Sequence, residues 1–378
     1  MLNLLLTRLT AVADKLTVAL LLFKERFMTS RRRWIAAIAI GLACAQSASA
    51  QIAKLDRDPA CHTLTPASAG GAMPKNSNLM VLRYLGTSNY EIDYRGHILL
   101  LDAYFDGQRG PQARLIGFKA DDITRADAIF VGHPHFDHLA DGPALAKRLG
   151  IPIFVSPAGR PILQREQVPS NLARYVSGGE TIKMDGYTVM TALARHSSLD
   201  PKASALYHQA AAVQAPMTTE ESRWLAERKT YNPPSTDPEM DIPTHGTISY
   251  VFVFDNGFKV AFRDSPGVPT DSERELVQRV GGSVDVAILG YNGFGSDPVV
   301  KVTLDLAKVY QPKIFLPAHQ DALFGGITDF ATMPLFLAFR DQLPGIRSVD
   351  PLYRTPICVD TSTKQVDYDP SVSSSSKP

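Results

Sequence analysis

Residues 131–142 read VGHPHFDHLADG, which puts three of the chain's nine histidines within six positions and an aspartate between the second and third. In an extended segment residues i and i+2 point the same way, so the rings of His133 and His135 share a side. Asp137 and His138 follow where the chain turns towards a helix opened by Asp141-Gly142-Pro143. Such a cluster is either an unusually polar turn or a place for a cation. Imidazole nitrogen and carboxylate oxygen suit zinc and neighbouring divalent metals. H-x-H-x-D-H is also a demanding pattern for a loop to meet by accident.

The flanking sequence predicts what carries the cluster. Leu79–Leu85, Asn89–Tyr94 and His97–Asp102 alternate or run apolar between turn residues, as consecutive antiparallel strands do. Ala128–Gly132 and Ile153–Val155 predict short buried strands on either side of a helix that Gly150 closes, with Leu145 and Leu149 on one face. Asp185-Gly186 and Asn256-Gly257 mark two hairpins, Thr181–Met184/Tyr187–Ala192 and Ile248–Phe254/Phe258–Phe262. Val286–Leu289 and Ile314–Leu316 flank a helix that begins at Asp297-Pro298, with Val302, Leu306, Val309 and Tyr310 as its expected inner face. Three more ligand-type residues each stand directly after a predicted strand: His196 after YTVMTALAR, Asp264 after FKVAFR and His319 after KIFLPA.

In this combination the chain resembles the metallo-β-lactamase-fold hydrolases, from about Leu79 to about Ala322. The resemblance implies an α+β fold, an αββα sandwich of two mixed β-sheets with helices on the outer faces and the metal site at one edge between the sheets. Carried over residue by residue, it implies a first metal held by His133, His135 and His196 and a second held by Asp137, His138 and His319, with Asp264 bridging both. It makes Asp102, in ILLLDAYFD, the carboxylate that steadies the motif loop, because a ligating histidine needs its other nitrogen hydrogen-bonded. A plain turn residue is the alternative there. Two divalent ions are implied, zinc first, with manganese or iron admitted by the all-nitrogen-and-oxygen ligand set. Such a pair acidifies a shared water and presents a metal-bridging hydroxide to a carbonyl or phosphorus, so no protein nucleophile is needed. Asp137 is then the residue to orient that hydroxide and return a proton to the leaving group.

Departures from parts of that family narrow the expectation. Zinc β-lactamases with a cysteine ligand place a thiol where this chain has Asp264, so a β-lactam hydrolase is the alternative rather than the first reading. The pattern is similar to the branch containing N-acyl-phosphatidylethanolamine phospholipase D and the ascorbate-phosphate lactonase. The expected partner is therefore a small-molecule substrate: an ester, lactone or phosphodiester. A non-catalytic periplasmic metal-binding protein and a di-iron redox enzyme are the rivals; a purely structural site would be closed by four ligands.

Other polar residues carry two readings each. His245, in THGTISYVF, is a candidate catalytic donor to a developing oxyanion, or a solvent-exposed strand-end histidine. Tyr291 and Asn292 line the pocket or belong to a glycine-rich turn. Arg263 alternates away from Asp264 and is expected in a supporting or salt-bridge role. His208 reads as a surface residue, and His62 and His97 carry no function.

With 44% hydrophobic and 20% charged residues the chain is of ordinary globular composition, and a formal net charge of +1 offers no nucleic-acid footprint. Residues 1–50 hold seven Lys/Arg against two Asp/Glu, leaving 32 basic and 36 acidic residues in the remainder. MTSRRRWIAAIAIGLACAQSASAQ reads as a secretory signal starting at Met28, with cleavage after Ala50. Its apolar run is too short to span a bilayer comfortably, and an uncleaved amphipathic anchor is the alternative. Ser30-Arg31-Arg32-Arg33-Trp34-Ile35 resembles a twin-arginine export signal, so a periplasmic or secreted location is expected. Residues 51–78 form a lead and 79–360 the hydrolase domain. A cover segment is expected at about 197–244, and a flexible tail at 361–378. Cys61 and Cys358 either close a disulfide or remain two thiols.

Overall fold

The structure, a computed structural model, describes residues 58–105, 116–197, 218–229, 246–291, 297–321 and 328–368. The predicted antiparallel start is β1 (Leu79–Tyr84), β2 (Tyr90–Tyr94) and β3 (His97–Leu101), each a residue or so shorter than expected. Leu85 and Asn89 belong instead to the turn that joins β1 to β2, where the Leu85 N–H donates to the Asn89 carbonyl at 2.8 Å. The chain continues through β4 (Ala128–Phe130), β5 (Ile153–Val155), β6 (Ala173–Tyr175), β7 (Thr181–Lys183), β8 (Tyr187–Leu193), β9 (Ile248–Phe254), β10 (Lys259–Arg263), β11 (Val286–Gly290), β12 (Ile314–Ala318), β13 (Arg347–Ser348), β14 (Ile357–Asp360) and β15 (Gln365–Asp367).

These strands make two mixed sheets, one of eight strands in the order β15-β14-β1-β2-β3-β4-β5-β6 and one of seven in the order β13-β12-β11-β10-β9-β8-β7. β3, β4, β5 and β6 run parallel, as do β10, β11, β12 and β13, while the hairpin strands are antiparallel. Period-2 alternation then sorts the side chains. Leu99, Leu101, Phe130, Phe252, Phe262, Ile288 and Leu316 fill the space between the sheets. Leu100, Ile129 and Ile153 face outwards beneath the helices Phe136–Leu139, Gly142–Leu149 and Arg160–Arg165. Val251, Ala261 and Leu289 face outwards beneath Asp271–Arg279, Asp297–Tyr310 and Thr328–Gln342. The architecture is the expected α+β, αββα sandwich.

Two details differ from the sequence reading. In the helix Asp297–Tyr310 the buried face is Val299, Thr303, Leu306, Ala307 and Tyr310, and Val302 and Val309 are only half-buried, because the helix lies rotated on the sheet to seat Leu304 as well. The sandwich also runs past residue 360: β15 pairs with β14 and buries Val366, so the segment expected as a flexible tail begins inside the sheet. Within the expected cover segment a helix spans Thr219–Lys229. The export signal and the rest of the cover segment, with His208 and His245, lie outside the described residues, as does Asn292.

The lead is tied down at several points. Cys61 is disulfide-bonded to Cys358 on β14. Arg83, fully buried on β1, donates to the Ala60 carbonyl at 2.7 Å and ion-pairs with Glu91 and Asp93 on β2. Glu91 in turn accepts the N–H groups of Ala67 and Ser68. Arg83 thus offsets the two carboxylates, while burial and the neighbouring Glu91 push Asp93 well above the usual carboxylate range.

Candidate metal centre

Parallel strands that share an edge deliver their C-terminal ends to the same place. β4 ends at Phe130 and hands the chain to Gly132, His133 and His135; β10 delivers Asp264 and β12 delivers His319. β8, antiparallel to β9 and so parallel to β10, delivers His196. His135 precedes the short helix Phe136–Leu139, which carries Asp137 and His138 in its single turn.

Six of the seven side chains meet as two adjoining trios, His133/His135/His196 and Asp137/His138/His319, and Asp264 reaches one histidine of each. In the first, His133 Nε2 lies 3.0 Å from His135 Nδ1 and 3.1 Å from His196 Nε2. In the second, Asp137 Oδ2 lies 3.2 Å from His319 Nε2 and 3.7 Å from His138 Nε2. The rings of His133 and His138 are 4.0 Å apart, so the trios are neighbours.

Asp264 makes a third such group with one histidine of each trio, His133 and His138. Its Oδ2 lies 2.5 Å from His133 Nδ1 and 3.3 Å from His138 Nδ1, the nitrogens that face away from the trios. It joins one histidine of each trio from behind, and its buried Oδ1 has no hydrogen-bond partner among the described residues. Gly132 makes this possible: a Cβ there would stand 2.1 Å from the Asp264 Cγ. Asp102 holds the other side, accepting from His138 Nδ1 at 2.7 Å and from the Gly132 N–H at 2.8 Å.

These rear contacts fix which nitrogens carry hydrogen. The Ser197 carbonyl can only accept, so His196 Nδ1 donates to it at 2.8 Å and His196 Nε2 is left with a lone pair. His133 Nδ1 donates to Asp264 and leaves a lone pair on Nε2 in the same way. Two lone pairs therefore face each other at 3.1 Å with no hydrogen to share. Protonation is not the remedy. Burial, reinforced by the neighbouring His138, holds His133 well below the usual imidazole range, and burial followed by His135 pushes His196 down to about 3. Neutral imidazoles with converging lone pairs fit a metal cation.

The second trio has the opposite charge logic. Burial alone would depress His138, but Asp137, Asp102 and Asp264 outweigh it and raise it to about 10. Burial would raise Asp137, but His138 and His319 outweigh it and hold the carboxyl below the usual carboxylate range. Asp102, lifted chiefly by burial against the pull of His138, comes to about 7. Acceptor-rich surroundings keep a positive charge on His138, and a cation between Asp137, His138 and His319 would answer the same demand.

Supports that the sequence did not reveal lie behind this edge. In the turn Gly86–Asn89, the Thr87 carbonyl accepts the His319 N–H at 2.6 Å, and the Thr87 N–H donates to Asp321 at 2.9 Å. Thr87, Asp102 and His319 all have positive φ, at 53°, 56° and 62°. Non-glycine residues in that region cost energy and persist where the surroundings over-determine them, commonly at functional sites. The only sequence signal was Asp321 standing two residues after His319. Tyr291, read either as lining the pocket or as part of a glycine-rich turn, is fully buried in the core beneath the outer helices. Arg263 pairs with Glu273 at 3.0 Å, in the supporting role expected for it.

A family model described as "Beta-lactamase superfamily domain" matches residues 97–319. A UPF0173 metal-dependent hydrolase of Polynucleobacter asymbioticus is 25% identical over 211 residues, covering 54% of this chain and 61% of the relative. Another from Chloroflexus aurantiacus is 35% identical over 105 residues, 27% of this chain and 41% of the relative. The matches thus span less than two thirds of these relatives' lengths. Among solved structures, Igni18, a metallo hydrolase from Ignicoccus hospitalis, aligns with TM-score 0.47 at 13% identity, covering 74% of this chain and 98% of that one.

Proposed function

This chain belongs to the beta-lactamase superfamily, and from that premise we propose that it is an exported metal-dependent hydrolase with a dinuclear centre, acting on a small ester, lactone or phosphodiester. The observation that carries the proposal is the pair of adjoining trios, each presenting nitrogen or oxygen atoms within metal-ligand reach of one another. His133, His135 and His196 would hold one cation and Asp137, His138 and His319 the other, with Asp264 within touch of both groups. Bound cations supply Lewis acidity, which acidifies water and polarises the substrate oxygen that gains charge.

The chain's own residues do the rest. Asp102 and Asp264 keep hydrogen on the rear nitrogens of His138 and His133, so that His133 Nε2 offers a lone pair and His138 Nε2 would offer one once a cation displaced its second proton. Asp137 Oδ2, at the partly open side of the site, is the atom placed to accept a proton and return it to a leaving group. Export is proposed from the signal-like residues 28–50, and the Cys61–Cys358 disulfide supports an oxidising compartment. Among the described residues no helix is long and apolar enough to cross a membrane.

The test is to load the purified chain with zinc or manganese and assay phosphodiester, lactone and ester substrates in parallel with His135→Ala. Turnover that depends on added metal and drops by two or more orders of magnitude in the variant is the expected result. Equal turnover in both proteins would abandon the mechanism. Stoichiometric metal without hydrolysis across the panel would favour the metal-binding reading instead.

A further inference from the structure

Alternation along β10 sends Phe262 into the space between the sheets and Arg263 to the opposite face, where its side chain is completely buried. A guanidinium offers five N–H donors in a planar fork, and burial makes leaving them unpaired costly. Nε donates to Glu273 Oε1 at 3.0 Å. Nη1 donates to the Ser265 carbonyl, while Nη2 reaches the Arg195 carbonyl at 2.5 Å and the Gly267 carbonyl at 3.4 Å.

Glu273 holds the base of this fork still. Its Oε1 also accepts from Ser249 Oγ at 2.7 Å and Tyr310 OH at 3.0 Å, and its Oε2 accepts the Thr270 N–H at 2.9 Å as the capping box of the helix Asp271–Arg279. The carbonyls at the tip of the fork belong to the residues beside His196 and Asp264. Arg195 precedes His196, and Ser265 follows Asp264. The two loops touch again where the Ser197 N–H donates to Ser265 Oγ at 2.8 Å. At Gly267 they are so close that a Cβ would stand 2.1 Å from the Arg195 carbonyl oxygen.

We propose that Arg263 is a positioning residue: its guanidinium binds the loop carrying His196 to the loop carrying Asp264 and so sets the spacing of ligating groups delivered by β8 and β10. A structural ion pair would need only Glu273, yet this side chain commits its Nη groups to carbonyls of two ligand loops. A lysine could keep the pair with Glu273 but cannot span three carbonyls, because it offers a single point of charge rather than a planar fork.

The inference rests on the metal-centre reading and is tested on the metal-free full chain by competition titration with zinc, by the visible spectrum with cobalt, and by thermal melting. Arg263→Lys is expected to fold, to bind zinc about 10–100-fold more weakly, and to shift the cobalt absorption bands, which altered stability alone does not do. Should Arg263→Lys fail to fold, Ser265→Ala removes the Ser197–Ser265 bond between the two loops without touching the ion pair, and about a fivefold weaker affinity is expected. Wild-type zinc affinity and an unchanged cobalt spectrum in the folded variant overturn the positioning role alone. Absence of zinc binding by the unaltered chain overturns the metal-centre reading and this inference with it.

Discussion

At the scale of single residues, the most informative contact is between His133 Nε2 and His196 Nε2, whose lone pairs are aimed at each other by hydrogen bonds made on the far side of each ring. Orientation from behind is therefore what the site depends on, and Asp102 tests it. An asparagine in its place has one acceptor oxygen for two donors, His138 Nδ1 and the Gly132 N–H. Asp102→Asn should weaken zinc binding by about 10–100-fold, measured by competition titration, and an unchanged affinity would remove Asp102 from the site's support. Protonation gives a second prediction. His138 has a folded pKa of about 10, raised above its unfolded value by Asp137 and Asp102 against the effect of burial. Its contribution is complete below about pH 6.5 and is lost as pH climbs towards 10. His133 and His196 are the reverse: burial lowers both, so below pH 6.5 the unfolded chain binds protons that the folded chain refuses, and stability falls as acid is added. The metal-free protein should melt at a lower temperature at about pH 5 and at about pH 9.5 than near pH 7. Zinc, which displaces the proton of His138, should flatten the alkaline arm. A melting temperature that rises steadily from neutral pH to 9.5 without metal would contradict this account of His138.

At the scale of elements, the sheet edge works because the ends of strands from both sheets come together with almost no space between them. One such approach is β4 against β10, where a Cβ at Gly132 would stand 2.1 Å from the Asp264 Cγ. Gly132→Ala would drive a methyl group into the Asp264 carboxylate, which has to leave His133. The expected cost is about 1–3 kcal/mol of stability, read from denaturant melts, together with loss of metal from the purified protein. Retention of full metal content would mean that Asp264 has room to move and is not held as described. Alternation made the strands legible, including the outward turn of Arg263 next to the inward Asp264. The helix Asp297–Tyr310 was less so, because valines on two adjoining stripes compete for one sheet face and only packing against Leu335 and Phe339 chooses between them.

At the scale of the whole molecule, the lead and the C-terminal strands close the eight-stranded sheet on the side away from β6. The Cys61–Cys358 bond joins residues 297 positions apart. Replacing both cysteines by alanine, or reducing the bond, should lower the unfolding free energy by about 2–5 kcal/mol. Zinc affinity should stay at the wild-type value, because no ligand is borne by the lead or by β14. A fall in metal binding parallel to the fall in stability would show that the lead reaches the centre by a route not visible in the contacts of Arg83 and Glu91.

The candidate ligand-type residues, their order along the chain and their places at strand ends were readable from the amino acids, because periodicity and motif spacing are local properties. So was the two-sheet, helix-covered plan, since strands of alternating character have to bury one face. Tertiary structure alone decided how the histidine rings are turned and that Asp264 touches both His133 and His138. It also decided that Arg263 is anchored by Glu273, and that Cys61 meets Cys358. Those depend on the registry of segments separated by tens to hundreds of residues, such as His133 and Asp264 at a separation of 131. Their approach is set by packing distances of a few tenths of an ångström, about which a pattern of residue types is silent.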